Sequence, residues 1–230
     1  MNNMNILFKF NDNLLLVKHN NHQRLITKNL KPGNQVYGEN IKMINNSEYR
    51  IWDPHRSKLA ASLLKGIGSV PFYEGTNILY LGTSTGTTAS HISDIISESG
   101  ILFCVEISQR VSRDFIDNVA SLRSNIITII ADARDPNSYT SIFKIIDCVY
   151  CDISQPDQTL IAINNCKQFL KRKGTLMLVI KTRSIDVTKS PDQVCNEEII
   201  KLEQNGFTIL NTVDLFPFDK DHAMVIATFT

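Results

Sequence analysis

The residues of this chain that are best suited to chemistry stand directly after its apolar runs. They are Gly82, Glu106, Asp132, Asp152 and Lys181. Ligands of open α/β sheets lie beyond the carboxyl ends of the strands, so these positions are expected to converge on one ligand. Carboxylates there could accept hydrogen bonds from sugar hydroxyls or from an adenine amino group. A partly desolvated lysine beside a carboxylate would be held charged or would share its proton.

The turn that begins at Gly82 has the composition of a nucleotide-binding loop. It follows the apolar run at residues 77–81, which suits a strand buried on both faces, and Gly82 and Gly86 let the backbone approach a ligand closely. Glu106 follows at about the 20-residue spacing of an acid that binds ribose hydroxyls. The turn lacks a third glycine, and Ser84 stands where a dinucleotide's pyrophosphate would need one. The pattern therefore favours a nucleoside ligand such as S-adenosylmethionine over a nicotinamide dinucleotide, with a purely structural turn as the alternative.

Several of the charged positions also have a structural interpretation. Asp132 could bind an adenine amino group, with the Ala133 backbone contacting a ring nitrogen, or it could cap a helix. Asp157, which follows a proline that starts a helix, is predicted to interact with the helix dipole. Lys181 could alternatively extend to solvent beyond its strand.

The elements that would position these residues alternate between strands and helices. Apolar runs predict strands at residues 77–81, 101–105, 125–131, 145–151 and 175–180. Helical periodicity covers residues 56–64, 109–122, 158–170 and 193–204. The tail differs, because residues 207–215 and 223–229 form two strands with only a turn between them. We therefore predict an α/β protein, a doubly wound and mostly parallel sheet with an antiparallel terminal hairpin strand.

The first part of the chain has a different pattern. Short β-like runs at residues 6–10, 14–17 and 24–27 are separated by asparagine, aspartate and glycine. This predicts a small β-rich N-terminal domain over residues 1–52, followed by one catalytic domain over residues 53–230.

Composition and charge limit the classes of protein. The chain has no apolar run of the about 20 residues that a membrane helix needs, and it lacks a secretory signal, which favours a cytosolic compartment. Its formal net charge is only +1, short of the basic balance of a domain that holds nucleic acid alone. A function that acts on nucleic acid is thus expected to require binding partners. Residues 171–173 and Arg183 could still contact phosphates locally, although a short basic run is more often a solvated helix end.

The five cysteines are set mostly in apolar runs and are predicted to be buried thiols rather than a disulfide framework. Cys148 and Cys151 form a CxxC string. They lie in a strand-like run, where residues three apart face opposite sides of the sheet, and no second pair would supply further ligands. The sequence therefore predicts no metal site.

Five strings in the chain together closely resemble the fibrillarin family. They are residues 53–61 (DPHRSKLAA), 80–88 (YLGTSTGTT), 132–134 (DAR), 152–159 (DISQPDQT) and 221–223 (DHA). The resemblance covers roughly residues 36–230, and its motifs are specific. Fibrillarin-like proteins have a Rossmann-like fold, use S-adenosylmethionine, and methylate the ribose 2′-hydroxyl of RNA that a box C/D guide RNA selects.

The resemblance implies a catalytic tetrad of Lys58, Asp152, Lys181 and His222. It also implies cofactor contacts at Thr87, Thr88, Glu106, Ile107, Asp132, Ala133, Asp152 and Gln155. The glycine-bounded turn adds Gly82, Ser84 and Gly86 to the predicted cofactor site. The implied partners are box C/D guide RNA with its target ribosomal or transfer RNA, a Nop-domain scaffold protein and a kink-turn-binding ribosomal-type protein. The implied location is cytoplasmic for an archaeal form and nucleolar for a eukaryotic one.

The chain departs from the family pattern in two respects. Family members often carry an aromatic residue where this chain has Ile107, so aliphatic packing would replace stacking on adenine. The glycine- and arginine-rich N-terminal tail of eukaryotic members is absent, so the chain resembles the archaeal form.

Our mechanistic hypothesis is that Lys181, beside Asp152, accepts or relays the 2′-hydroxyl proton. Lys58 and His222 would position the ribose and the adjacent phosphate. Which group takes the proton stays open, and His222 could instead make only a structural hydrogen bond in the terminal hairpin.

Three other functions compete with guided ribose methylation. A small-molecule methyltransferase would share the cofactor site, and a non-catalytic assembly subunit would keep the fold to bind a scaffold protein. The intact tetrad argues against both. A nicotinamide dehydrogenase is disfavoured by the missing third glycine.

Overall fold

The structure is a computed structural model, and it describes residues 4–19, 21–68, 70–142 and 145–230. The first three residues of the predicted N-terminal domain lie outside this described part. The described elements form one sheet of five strands and one of seven, with helices packed on the larger sheet. Among these residues, no helix is both long enough and apolar enough to cross a membrane.

The smaller sheet is antiparallel throughout. Its strands are β1 (Asn5–Asn11), β2 (Leu14–His19), β3 (His22–Lys28), β4 (Ile41–Ile44) and β5 (Ser47–Trp52), in the order β1-β2-β3-β5-β4. Alternation along the strands sends Leu14 and Leu25 into the main core, and Leu15, Val17 and Ile26 into a small cluster on the other face. The sequence predicts the first three strands, whereas β4 and β5 are additional.

The larger sheet has the predicted doubly wound architecture. Its strands are β6 (Asn77–Leu81), β7 (Ile101–Glu106), β8 (Ile126–Ile130), β9 (Ile146–Cys151), β10 (Leu170–Lys181), β11 (Phe207–Asp214) and β12 (His222–Phe229), in the order β11-β12-β10-β9-β6-β7-β8. Strands β6 to β10 are parallel, and β12 is antiparallel to β10 and β11. The chain winds outward in both directions from β6 and β9, so the space beyond their carboxyl ends is the topological switch point, where ligands bind.

Local capping chemistry sets the ends of the helices. These are α1 (Lys58–Leu64), α2 (Thr87–Ile96), α3 (Gln109–Asn118), α4 (Gln158–Phe169), α5 (Thr182–Ile185) and α6 (Pro191–Gln204). Helix α1 begins later than predicted because the Ser57 side chain caps it by accepting a hydrogen bond from the Ala60 amide. Helix α6 begins earlier, at a capping box formed by Ser190 and Gln193.

The core lies on both faces of the larger sheet, as β9 illustrates. Cys148 and Tyr150 pack into the cluster on one face, and Val149 and Cys151 pack into the cluster on the other. The two cysteines of the CxxC string therefore face opposite sides, as the strand period requires. Burial raises the pKa of the Cys151 thiol to about 12, which leaves it protonated and unreactive at neutral pH.

A buried ionic network fastens the smaller sheet to α2. The Arg50 guanidinium, fully buried in β5, lies 2.6 Å from Glu39 Oε1 and 2.8 Å from Asp94 Oδ2. Asp94 also pairs with Arg123 at 2.6 Å. Burial opposes the charge of Arg50, but Asp94 and Glu39 outweigh that effect and raise its pKa. The network holds the two sheets in one fixed arrangement.

Candidate functional site

The carboxyl ends of β6, β7, β8 and β9 open into a cavity of about 520 Å³. This volume lies within the usual range of small-molecule sites. Every residue predicted to bind the cofactor lines it, and so do Lys58 and Lys181 of the predicted tetrad. The walls come from the turn after β6, the ends of β7 and β8, and the loop after β9. The structure therefore brings the predicted cofactor residues together at the switch point of the sheet.

The turn between β6 and α2 needs its glycines for backbone reasons. Gly82 has φ of +81°, and a Cβ there would lie 2.9 Å from the Asp152 carbonyl oxygen. Gly86 has φ of +95°, and a Cβ there would overlap the Phe115 ring. Ser84, between them, has φ of +55°. The left-handed backbone conformation of these three residues brings the turn close to the end of β9, and α2 then begins at the cavity wall.

Glu106 is held in place by two backbone amides. Its Oε2 accepts a hydrogen bond from the Ser84 N–H at 3.0 Å, and its Oε1 accepts one from the Ser108 N–H at 3.0 Å. A carboxylate offers about four acceptor sites, so two stay available for a diol. The acid thus fits the ribose of a nucleoside, and it also links the turn after β6 to the start of α3.

The loops after β8 and β9 are joined by Arg134. Its guanidinium makes a bidentate pair with Asp157, with Nε to Oδ2 at 2.9 Å and Nη2 to Oδ1 at 2.8 Å, and Nη2 also donates to Gln155 Oε1 at 2.9 Å. The hydrogen bond from Arg134 lowers the pKa of Asp157. Asp157 stands at the N-cap of α4, where its side chain makes no cap hydrogen bond and pairs with Arg134 instead.

Asp132 does not cap a helix. Its Oδ1 accepts a hydrogen bond from the Arg134 amide at 2.9 Å and closes a tight local turn, and its Oδ2 lies 3.9 Å from Arg134 Nη1. Ala133 follows as a nearly buried residue of the cavity wall. Ile107, 58% exposed, covers the rim from the end of β7. An adenine ring would therefore find a carboxylate, a backbone amide and an aliphatic face at this end of the cavity.

Lys181 and Asp152 form the innermost pair of the site. Lys181 Nζ lies 2.8 Å from Asp152 Oδ1, 2.9 Å from the Asp152 carbonyl oxygen and 2.8 Å from Ser154 Oγ. The Lys181 backbone amide donates to Gln158 Oε1 at 3.1 Å, which ties the end of β10 to α4. The side chain is only 11% exposed, so it does not extend to solvent.

Lys58 contacts the same oxygen of Asp152 as Lys181 does. It is the first residue of α1, and its Nζ lies 3.5 Å from Asp152 Oδ1 and 3.7 Å from Asp219 Oδ2. Ser57, the cap of α1, lies 2.8 Å from Thr88 across their hydroxyl oxygens. This contact holds α1 against the start of α2, so that the Lys58 ammonium stands at the cavity.

His222 lies beside Lys181 on the neighbouring strand. The two residues are directly paired across β10 and β12, which places their side chains on the same face of the sheet. His222 Nδ1 lies 2.6 Å from the Lys220 carbonyl oxygen and 3.0 Å from Asp219 Oδ1. Unlike Lys58, Asp152 and Lys181, His222 does not line the cavity, and it makes the structural hydrogen bond given above as the alternative.

Other titratable groups near the tetrad are poor proton acceptors. Burial, with a further effect of Asp152, raises the pKa of Tyr80 and of Tyr150 well above their usual range, so both phenols stay neutral. No group of three or more potential metal ligands occurs among the described residues. The arrangement is therefore a nucleoside-sized cavity beside a carboxylate that contacts two lysines, with His222 on the neighbouring strand.

The basic run at residues 171–173 lies away from this site. It lies at the start of β10, where the pairing with β9 is interrupted between Leu170 and Thr175, at the end of the strand opposite to Lys181. Lys171 Nζ lies 2.5 Å from Asp147 Oδ1 at that opposite edge. Arg183, in contrast, lies two residues after Lys181, and its Nε lies 3.4 Å from Asp221 Oδ2.

Sequence reasoning missed three residues that organise the tetrad. Asp219 stands between Lys58 and His222, Ser154 contacts Lys181, and Gln158 holds the backbone at the end of β10. Ser154 and Gln158 lie within the DISQPDQT string, so their nearness to Asp152 was a usable signal. Asp219 lies three residues before His222, but only the folded hairpin brings it to Lys58.

Comparisons with known proteins agree with this geometry. A model of the family described as Fibrillarin matches residues 8–230. A fibrillarin-like rRNA/tRNA 2′-O-methyltransferase of Staphylothermus marinus is 49% identical over 206 residues, which is 90% of this chain and 88% of that protein. Aeropyrum pernix fibrillarin, solved with natively bound S-adenosyl-L-methionine, is 44% identical with a TM-score of 0.90, covering 98% of this chain and 97% of that one.

A solved fibrillarin/Nop5p complex contains a further similar chain. It is 36% identical, with a TM-score of 0.81, and the match covers 90% of this chain and 94% of that one. The match to the family model, the sequence identities and the shared fold lead to one conclusion. This chain belongs to the fibrillarin family.

Proposed function

We propose that this protein transfers a methyl group from S-adenosylmethionine to the ribose 2′-hydroxyl of RNA. It would act as the catalytic subunit of a box C/D guide ribonucleoprotein, on ribosomal RNA and with transfer RNA as a second substrate class. Membership of the fibrillarin family supports this function. The observation that carries it is the Asp152 carboxylate between Lys181 and Lys58, at 2.8 and 3.5 Å, on the edge of a nucleoside-sized cavity.

The cavity residues fit the parts of the cofactor. Bound S-adenosylmethionine would supply a methyl group on a positively charged sulfur. Glu106 has free acceptor sites for the ribose hydroxyls, and Asp132 with the Ala133 amide offers a carboxylate and a donor to the adenine edge. Ile107 would cover the adenine face. The remaining predicted contacts, Gly82, Ser84, Gly86, Thr87, Thr88, Asp152 and Gln155, form the walls between these groups.

The tetrad would align the target ribose with the methyl group. An alcohol is a weak nucleophile, so much of the acceleration is expected from holding its oxygen in line with the methyl carbon. Lys58 and Lys181 both contact Asp152 Oδ1, and they make the site attractive to the phosphates beside the target ribose. Lys181 Nζ also donates hydrogen bonds to the Asp152 carbonyl oxygen and to Ser154 Oγ, which fixes its position at the end of β10.

The RNA would be held largely by partners. The net charge of +1 is small, and guide pairing can supply the sequence recognition. A Nop-domain protein, box C/D guide RNA and a kink-turn-binding ribosomal-type protein are the partners we propose; a Nop-type partner is supported by the similar chain in the fibrillarin/Nop5p complex. Arg56, which lines the cavity with its guanidinium carbon 5.1 Å from the Tyr37 ring centroid, is placed to meet an RNA phosphate.

We further propose that residues 1–52 and 53–230 are two domains that move as one body. The buried pairs of Arg50 with Glu39 and Asp94 support this arrangement. A cytoplasmic location of archaeal type goes with the proposed function.

The test is transfer of a labelled methyl group from S-adenosylmethionine to a guide-paired RNA by the chain assembled with its core partners. A target that lacks one 2′-hydroxyl and the chain without partners serve as controls. Transfer that requires the guide and disappears with the 2′-deoxy target would establish guided ribose methylation. No transfer from an assembled, cofactor-bound particle would overturn the proposal and favour a non-catalytic assembly subunit.

A further inference from the structure

One carboxylate outside the predicted tetrad contacts two of its members through different oxygen atoms. Asp219 Oδ1 lies 3.0 Å from His222 Nδ1, and Asp219 Oδ2 lies 3.7 Å from Lys58 Nζ. Lys58 in turn lies 3.5 Å from Asp152. Asp219 therefore completes a chain of alternating charge that runs from the terminal hairpin to the innermost pair of the site.

The turn that carries Asp219 has a defined shape. The amides of Phe218 and Asp219 both donate to the Leu215 carbonyl oxygen, at 2.9 and 3.1 Å. The Phe218 ring meets the His55 ring edge to face, with 5.4 Å between centroids, just before α1. These contacts fix the tip of the hairpin against the segment that leads to Lys58, so the position of Asp219 does not depend on its own ion pairs.

The contacts of His222 identify which ring nitrogen carries a hydrogen. Nδ1 faces the Lys220 carbonyl oxygen at 2.6 Å and the Asp219 carboxylate at 3.0 Å, and both of these groups only accept hydrogen bonds. Nδ1 must therefore be the protonated nitrogen. In the neutral ring, Nε2 is then an acceptor with a free lone pair, and it has no hydrogen-bond partner among the described residues.

We propose that Asp219 is a positioning residue of the methyl transfer: it holds His222 with its hydrogen on Nδ1, so that Nε2 accepts the proton of the target 2′-hydroxyl. This inference rests on the proposed function and deepens it. The side chain of His222 lies on the same face of the sheet as that of its pair partner Lys181, which contacts Asp152 at the cavity. Lys181 Nζ is held by the Asp152 carbonyl oxygen and Ser154 Oγ, whereas His222 Nε2 has no hydrogen-bond partner in the described part of the chain.

The proton and electrons balance in this assignment. The 2′-oxygen forms its bond to the methyl carbon as its O–H bond breaks, and the electron pair of the carbon–sulfur bond stays on sulfur, which becomes a neutral thioether. His222 Nε2 takes the proton and becomes an imidazolium, which later releases it to water. The Asp219 carboxylate stabilises that imidazolium, as the acid of a hydrolase triad does for its histidine.

The experiment compares three single variants in the assembled particle. Asp219→Asn keeps the shape and removes the charge, Asp219→Glu restores the charge one methylene further out, and Asp221→Asn removes a carboxylate of the same turn that contacts Arg183 instead. The maximal transfer rate, the KM for guide-paired RNA, the affinity for S-adenosylmethionine and the melting temperature are measured for each.

We expect Asp219→Asn to lower the maximal rate by roughly 10- to 100-fold, a part of what a positioned proton acceptor contributes, with KM, cofactor affinity and melting temperature close to wild type. Asp219→Glu should recover most of the rate, and Asp221→Asn should resemble wild type. An Asp219→Asn rate within twofold of wild type would overturn the inference. So would an equal loss in Asp221→Asn, because that would indicate a disturbed turn. Absence of transfer by the wild-type particle would instead concern the proposed function itself.

A second measurement does not depend on activity. Nitrogen-15 spectra of the free chain, with the signal of His222 assigned by its loss in His222→Gln, report which ring nitrogen carries the hydrogen. The neutral Nδ1–H form is expected in the wild-type chain. A ring protonated only on Nε2 would contradict the inference even if Asp219→Asn proved slow.

Discussion

At the scale of single residues, the Lys181 ammonium is the most constrained charge of the tetrad, because three oxygen atoms of Asp152 and Ser154 surround it. Lys181→Ala removes the cation that fixes Asp152, so we expect methyl transfer to fall by about 10²- to 10⁴-fold. Cofactor affinity should persist, since Glu106 is untouched. Single-turnover transfer and calorimetric titration measure the two effects, with the exposed Lys65→Ala as the matched control. Near wild-type turnover would remove Lys181 from the mechanism.

Glu106 gives the corresponding prediction for cofactor binding. Its two oxygens accept hydrogen bonds from the Ser84 and Ser108 amides, so in Glu106→Gln the new NH₂ group would face a donor. Hydrogen bonds to a charged group contribute about 1.5–3 kcal/mol, so affinity for S-adenosylmethionine should drop roughly 10- to 100-fold. Calorimetric titration checks this, with Asp117→Asn on the exposed face of α3 for comparison. Unchanged affinity would show that Glu106 only ties the two loops together.

Residue types at strand ends predict much of the candidate site. A polar group after a buried strand must emerge at the carboxyl edge of a parallel sheet, and the chain order of the strands then determines which groups meet. The same reasoning cannot locate Asp219. It lies in a turn between antiparallel strands, and its partner Lys58 is far away in sequence. A contact between a side chain of the hairpin turn and one at the start of a helix depends on how the hairpin tip folds back, which no periodicity encodes.

At the scale of elements, the joint between β5 and α2 depends on a buried charge network. Removing one partner of a buried ion pair leaves the others uncompensated, so Arg50→Ala should lower the free energy of unfolding by about 3–5 kcal/mol. Lys31→Ala breaks a surface pair with Glu98 at 3.2 Å and should change the free energy of unfolding by less than about 1 kcal/mol. Denaturant unfolding compares the two variants with the wild-type chain. Equal losses would mean that the buried network does not hold the joint.

The strands differ in how clearly the sequence predicts them. Strands β6, β7 and β9 are apolar over nearly their whole length because both faces are buried, and the terminal hairpin is marked by a turn with no helix. Strand β4 has only four residues, and β5 is half polar and contains the buried Arg50, a residue that hydropathy assigns to the surface. Its burial follows from Asp94 and Glu39, which are distant along the chain.

At the scale of the whole molecule, the contact between the smaller sheet and α2 makes stability depend on pH through His91. Its ring is fully buried, lies 4.6 Å from the Trp52 ring in a stacked arrangement, and contacts the hydroxyls of Thr27 and Tyr37 at 2.7 Å. Burial, with Arg50 nearby, lowers the pKa of His91 well below its usual value, so the ring is neutral in the folded chain.

Unfolding lets this histidine bind a proton at its ordinary pKa of about 6.5, so its contribution to stability is present above that value and is lost as the pH falls. Between pH 7.5 and 5.5 the free energy of unfolding should decrease by about 1.4 kcal/mol, before most carboxylates titrate. Urea unfolding at both pH values measures it. His91→Gln should abolish the difference, whereas His22→Gln, exposed on β3, should retain it. A wild-type chain equally stable at both values would mean that His91 becomes charged without unfolding, and that the joint between the two sheets opens locally to admit the proton.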